Sequence, residues 1–256
     1  MAIRFYKNGK WHLLAGKKVY TGGTFQTMKK TDKIRLNRQW YPLGSYLYKV
    51  QVPANGITTA YIRGTGAFTI FFGDGSVEKY TMNDSTVEVR HTYADSSIYE
   101  VSIFFSGTIA SVQFNGCTEI DIEALKALNL EGFNTVKAVF ETIDLSTLTT
   151  LTSVTLTDCD NLTSVNLQGL SKLKTVVCSS GILMNINITG CPLITHIQLQ
   201  NNNLLELQVD YVLQTLAANN QINGNLNISG NSAPSQKKGQ GYKELLIDRG
   251  WTVTTD

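Results

Sequence analysis

Three histidines, His12, His91 and His196, are the only side chains of this chain whose ordinary titration falls near neutral pH. They lie in three different stretches, so no two sit at a spacing that builds a metal site or a proton relay. His196 stands between Ile194 and Ile197 in an alternating run and is expected to face solvent on a strand. His91 and Asp74 are the one pair that invites an acid–base reading. The expectation is structural instead: Asp74 capping its own Asp-Gly turn, and His91 bonded to nearby backbone. Carboxylates are sparse and scattered, so the sequence suggests no paired-carboxylate site of the glycosidase kind. Asp158, Asp160, Glu206 and Asp210 lie near turns, where solvated acids are the expectation rather than a Ca²⁺ site. Four cysteines, Cys117, Cys159, Cys178 and Cys191, form no C-x-x-C pair and read as buried free thiols. No nucleophile elbow, zinc helix, P-loop or dinucleotide fingerprint is present. The expectation is a non-enzymatic protein with no cofactor and no metal.

What the chain does carry is a repeat. From Phe140 the sequence steps through units starting at Leu151, Leu162, Leu173, Leu183, Ile194 and Leu204, at intervals of 10 or 11 residues. Positions one, four and six are apolar, as in Leu151/Val154/Leu156 or Leu204/Leu207/Val209. Positions four and six therefore share one face of a short strand. One unit cannot bury its stripe alone, but stacked units can, which predicts a solenoid. Position nine holds Leu148, Cys159, Leu170, Gly181, Cys191 and Asn202. With that corner, two units resemble a leucine-rich repeat, a resemblance that implies a binding scaffold rather than one reaction. The position-five residues Thr155, Asn166, Val177, Asn187, Gln198 and Gln208, all polar except Val177, are expected to align as a ladder on one face. Neutral hydrogen-bonding side chains of this kind suit a sugar or a polar protein surface.

Between residues 49 and 116 the chain reads as short strands, YKVQV, TTAYI, AFTIFF, TVEVR and YEVSIFF, separated by Gly, Asn and Asp. Phe71-Phe72-Gly73-Asp74-Gly75-Ser76, then His91-Thr92-Tyr93, then Tyr99-Glu100-Val101-Ser102-Ile103 resemble the PKD-type immunoglobulin-like domain, which implies a β-sandwich. The stretch is short for that family, so either a strand is missing or the sheet runs into the solenoid. Residues 117–256 then form the solenoid with its caps. Asp121 to Leu130 is a candidate helix over the first rung, with Asp121 as N-cap and Gly132 just past its end. Gly241–Gly250 is a candidate capping helix, with Gly250 ending it and a last strand after Trp251.

Residues 1–48 are the third part. Eleven of the 22 Lys and Arg lie in the first 50 residues against one acid, Asp32, which leaves eleven bases against nineteen acids elsewhere. Two N-x-x-W segments, Asn8/Trp11 and Asn37/Trp40, predict two β-hairpins joined by a loop from Gly22 to Asp32. Such a basic piece, with Trp11, Trp40, Arg35 and Arg38 as docking residues, is expected to be ordered by attachment to a larger body. It resembles the attachment ends of phage tail and fibre proteins. The start is charged from Arg4 and has no apolar leader core, and no run of 18 apolar residues predicts a membrane span. The expectation is mainly β: a hairpin anchor, a PKD-like sandwich, and a leucine-rich-repeat solenoid with a short C-terminal capping helix and strand. These parts, together with the resemblance of the carboxy-terminal cap to leucine-rich proteins of gut Bacteroidetes and their phages, imply a phage virion component of tail, collar or head. It would be attached to other virion proteins as a homo-oligomer and present its repeat face to a host glycan or protein. A bacterial cell-surface adhesin is the alternative.

Overall fold

The computed structural model describes residues 47–179 and 181–256, together with the backbone of six strands between Ile3 and Pro42. The fold is mainly β, with a β-solenoid of about four turns. Strands β1 (Ile3–Lys7), β2 (Lys10–Ala15), β3 (Lys18–Thr21) and β4 (Thr24–Thr27) form an antiparallel sheet, and β5 (Lys33–Leu36) pairs with β6 (Gln39–Pro42). The expected loop from Gly22 to Asp32 therefore contains a strand. In sequence, Gly22-Gly23 separates two runs of β-forming residues, which is itself a hairpin signal. The docking expectation at Trp11, Trp40 and Arg35 concerns side chains outside the described ones, and Arg38 lies outside the described residues altogether.

The next strands are longer than the sequence suggested. After β7 (Tyr48–Gln51) come β8 (Ile57–Phe71), β9 (Val77–Thr92) and β10 (Ile98–Asn115), three antiparallel strands of 15, 16 and 18 residues. TTAYI and AFTIFF are one strand, because the glycines between them let the backbones pass closely rather than turn. A Cβ on Gly66 would overlap the Ser106 carbonyl, and one on Gly107 the Thr65 carbonyl. At the same level the pairing register shifts on both flanks, with Asp84 at φ 55 in β9 and Ala110 left unpaired with β8 in β10. Such bulges add twist and re-aim a strand. Here the Ala110 carbonyl accepts the Glu131 amide at 2.7 Å, which leads the chain into the first parallel strand.

Helix α1 is only Ile122–Lys126, capped by the Asp121 carboxylate on the Ala124 amide. It follows β11 (Cys117–Ile120), which pairs with β7. The helix was expected to cover the first solenoid rung, but the edge of that rung is covered by β10, which pairs in parallel with β12 (Gly132–Val136). The sheet runs on through β14 (Ser153–Thr157), β16 (Thr175–Ser179), β18 (His196–Gln198), β19 (Asn225–Asn227) and β20 (Thr252–Thr254). Alternate half-turns make a second parallel sheet, β13 (Thr142–Asp144), β15 (Ser164–Asn166) and β17 (Asn185–Asn187). Positions one, four, six and nine of these units are buried as the pattern requires, except the half-buried Phe140 and the exposed Gly181, with Leu151, Val154, Leu156 and Cys159 at 0% exposure.

The seventh unit departs from this pattern. Leu204 onward forms helix α2 (Glu206–Ala218), which takes the place of a fourth strand in the second sheet. Leu207, expected inside, is 83% exposed, whereas Val209, Val212, Leu213, Leu216 and Ala217 are buried. That is the i, i+3, i+4, i+7 spacing of a helix. Helix α3 (Gly239–Asp248) ends as the sequence requires. Gly250 sits at φ 80, its amide donates to Ile247 O, and the Trp251 amide donates to Leu246 O, closing the last turn.

Candidate binding face

The core-facing residues of β8 and β10, such as Ile62, Val112 and Phe114, leave the alternate residues on the outer face of the large sheet. Pairing register places Tyr61 opposite Gln113, Gln113 opposite Asn134, and Asn134 opposite Thr155. The same row continues through Val177, Gln198, Asn227 and Thr254. A parallel row beside it holds Ser111, Gly132, Ser153, Thr175, His196 and Asn225. Apart from Val177 and Gly132, these are neutral hydrogen-bonding groups, an aromatic ring and one histidine, on eight adjacent strands.

A groove of about 300 Å³ opens in this face where the antiparallel strands meet the solenoid, lined by Tyr61, Thr86, Ser111, Gln113 and Asn134. Gly132 helps keep it open, since a Cβ there would press on Ser111 Cβ at 3.0 Å and Ser153 Oγ at 3.2 Å. The surrounding polar groups are held rather than loose. Gln113 Nε2 donates to Asn115 Oδ1 at 3.1 Å, Asn115 Nδ2 donates to Thr59 Oγ1 at 2.6 Å, and Gln198 Nε2 donates to Asn225 Oδ1. Arg63 at the rim is neutralised by Asp84 at 3.0 Å. Beneath the joint, the buried Thr135 hydroxyl donates to Phe114 O at 2.9 Å and lies 3.1 Å from Cys117 Sγ. Burial pushes that thiol up to about 12.

The expected single ladder is divided. Thr155 and Gln198 belong to the row just described, but Asn166 and Asn187 stand on the second sheet, next to each other and to Asp144. Their side chains serve the turns. Asp144, Asn166 and Asn187 each accept the amide two residues on, from Ser146, Gln168 and Thr189, at 2.9, 3.2 and 3.1 Å. Gln208 lies on α2 and donates to Ile186 O at 2.8 Å. Tyr61, Gln113, Asn134, Asn227 and Thr254 were missed. Alternation marked them as outward-facing, but only strand pairing between distant segments aligns them.

Compared with protein-family models, curated proteins and solved structures, the chain matches none.

The His91–Asp74 pair forms, contrary to the expected backbone bond, and recruits Ser76. His91 Nε2 lies 2.8 Å from Asp74 Oδ2 and 3.1 Å from Ser76 Oγ, while Ser76 Oγ and N donate to Asp74 Oδ1 at 2.5 and 2.8 Å. Both partners therefore share one imidazole nitrogen, and the other ring nitrogen is 3.8 Å from Glu78 Oε1. A hydroxyl-activating relay needs the carboxylate and the hydroxyl on opposite nitrogens. This cluster orders the Asp74-Gly75 turn, with the ring stacked on Phe72 at 3.8 Å. Burial works to raise the Asp74 pKa, but the bonds from Ser76 and His91 outweigh it and hold the carboxyl below its ordinary value. His196 is exposed on β18, as expected. Asp210 accepts from Ser235 N and Oγ at 2.9 and 2.5 Å and so fixes the loop before α3. Among the described residues no group of three or more His, Cys, Asp or Glu is placed to hold a metal ion, and all four cysteines are buried and outside any disulfide.

Proposed function

We propose that this is a non-catalytic adhesion protein whose outer sheet face binds a neutral glycan. The row from Tyr61 to Thr254 carries the reading. Neutral amides and hydroxyls in a fixed lattice match the hydroxyls of a sugar, and Tyr61 adds a ring on which a pyranose can stack. The groove at Tyr61, Gln113 and Asn134 is the point of tightest contact. In this reading the Asp74–His91 segment belongs to a PKD-like unit and the solenoid to the leucine-rich-repeat type, joined through β10 and β12. The basic segment 1–48 attaches the protein to a virion, with Trp11, Trp40, Arg35 and Arg38 as the docking residues, and the acidic body projects outward. The charge division between the first 50 residues and the rest supports that polarity.

A neutral-oligosaccharide array probed with the intact chain and with Tyr61→Ala and Asn134→Ala tests the binding reading. Binding lost in both variants, and kept in Asn166→Ala on the second sheet, is the expected result. Equal loss in Asn166→Ala, or no binding by the intact chain, overturns it. Deleting residues 1–46, which spares the buried Leu47 and Tyr48, is expected to abolish association with the parent particle while the remainder stays folded.

A further inference from the structure

Strand β9 is the outermost strand of the large sheet. Among the described strands it pairs only with β8, so one edge of a 16-residue strand is open. Such edges recruit further strands unless something blocks them. The bulge at Asp84 divides this edge, and below it Thr86–Thr92, centred on Val89, pairs with β8 in unbroken register. Its outward side chains include Glu88 and Arg90, both exposed, and neither forms an ion pair or hydrogen bond among the described residues.

The charge order decides the occupant. When an antiparallel strand is added about a two-fold axis normal to the sheet, facing residues must come from the same face. Centred on Val89, the segment sets Glu88 against Arg90 of the second copy, and Arg90 against its Glu88. The two nearest registers that keep the faces matched set Glu88 against Glu88 or Arg90 against Arg90, which is repulsive. The segment is thus self-complementary in one register, and that register uses its full length. We propose that β9 pairs with β9 of a second copy of this chain through Thr86–Thr92, about a two-fold axis at Val89. Because the axis is normal to the sheet, both outer faces point the same way. Tyr61 lies directly opposite Glu88 on β8, so the polar rows of the two copies meet at the new junction. Two such faces on one dimer raise the avidity for a repetitive surface, whatever ligand each face holds.

Sedimentation equilibrium of the full chain from low micromolar concentration upward tests this. A monomer–dimer equilibrium is expected, weakened about tenfold or more by Glu88→Arg or by Arg90→Glu alone. The double variant E88R/R90E is expected to restore it, since the swap keeps both facing pairs. Amides of Thr86–Thr92 are expected to gain hydrogen-exchange protection as concentration rises. A monomer at all concentrations overturns the proposal and makes these charges edge protection only. An association that the single reversals leave unchanged, or that the double swap does not restore, overturns it as well.

Discussion

Asn202 holds a solenoid corner together by itself. It is buried at 7% exposure, its Nδ2 donates to Cys178 O at 2.6 Å and Leu199 O at 3.0 Å, and its Oδ1 accepts from the Gly181 and Leu183 amides. Asn231 repeats the arrangement one turn later, donating to Leu199 O and Ile228 O and accepting from the Leu204 amide. Each amide ties one turn of backbone to the next. Replacing Asn202 by Leu leaves several of these groups unpaired, and a loss of about 3 kcal/mol is expected from the urea midpoint. Asp74 gives a pH-dependent counterpart. Its folded pKa is depressed, so its contribution is complete above the ordinary carboxylate value of 3.8 and is lost as pH falls through the lower folded value. Asp74→Asn is therefore expected to be less stable than the parent by about 1–2 kcal/mol at neutral pH. The gap should close in melts run progressively below pH 3.8. A gap unchanged in acid would show that the carboxylate charge is not the stabilising feature.

At the scale of elements, α2 shows where a repeat pattern misleads. LLELQVDYV satisfies the strand spacing within one unit, and only the further residues to Ala217 reveal a period of 3.6. The expected consequence is sharp. Leu207→Asp should change stability by less than about 0.5 kcal/mol, whereas Leu213→Ala should cost about 2–5 kcal/mol in the same denaturation assay. The strands were legible where alternation and turns agree, as in units one to six, and the α3 ending was legible because Gly250 is needed at positive φ. Two things were not. The fused strands β8 to β10 contain the glycines that usually mark turns, and only close backbone approach explains why those glycines lie within strands. The division of the ladder was hidden because both half-turns share one apolar pattern. Asn166 and Thr155 look equivalent in sequence, yet one caps a turn on the second sheet and the other lies in the outer row.

Across the molecule, the antiparallel strands and the solenoid share one sheet and one continuous core, running from Leu47 to Trp251. Tyr48 stacks on Phe114 at 4.2 Å, and Phe114 meets Phe133 of the first rung at 6.5 Å. A boundary near residue 116 thus cuts through a hydrogen-bonded sheet, and the part from Leu47 onward should unfold as one unit. The buried thiols report this directly. Reactivity of Cys117 and Cys191 toward a thiol reagent should rise at the same urea concentration, together with the loss of far-ultraviolet dichroism. Cys191 exposed well before Cys117 would mean that the solenoid opens separately.

The same shared sheet is what makes a single outer face from two kinds of strand. The most direct measurement of that claim is a backbone amide NMR titration of the full chain with a neutral oligosaccharide selected from the array. The account predicts shifts along Tyr61, Gln113, Asn134, Thr155 and Gln198, strongest at the groove beside Gly132. Shifts clustered instead around Asn166 and Asn187, or confined to one side of the β10–β12 junction, would contradict it.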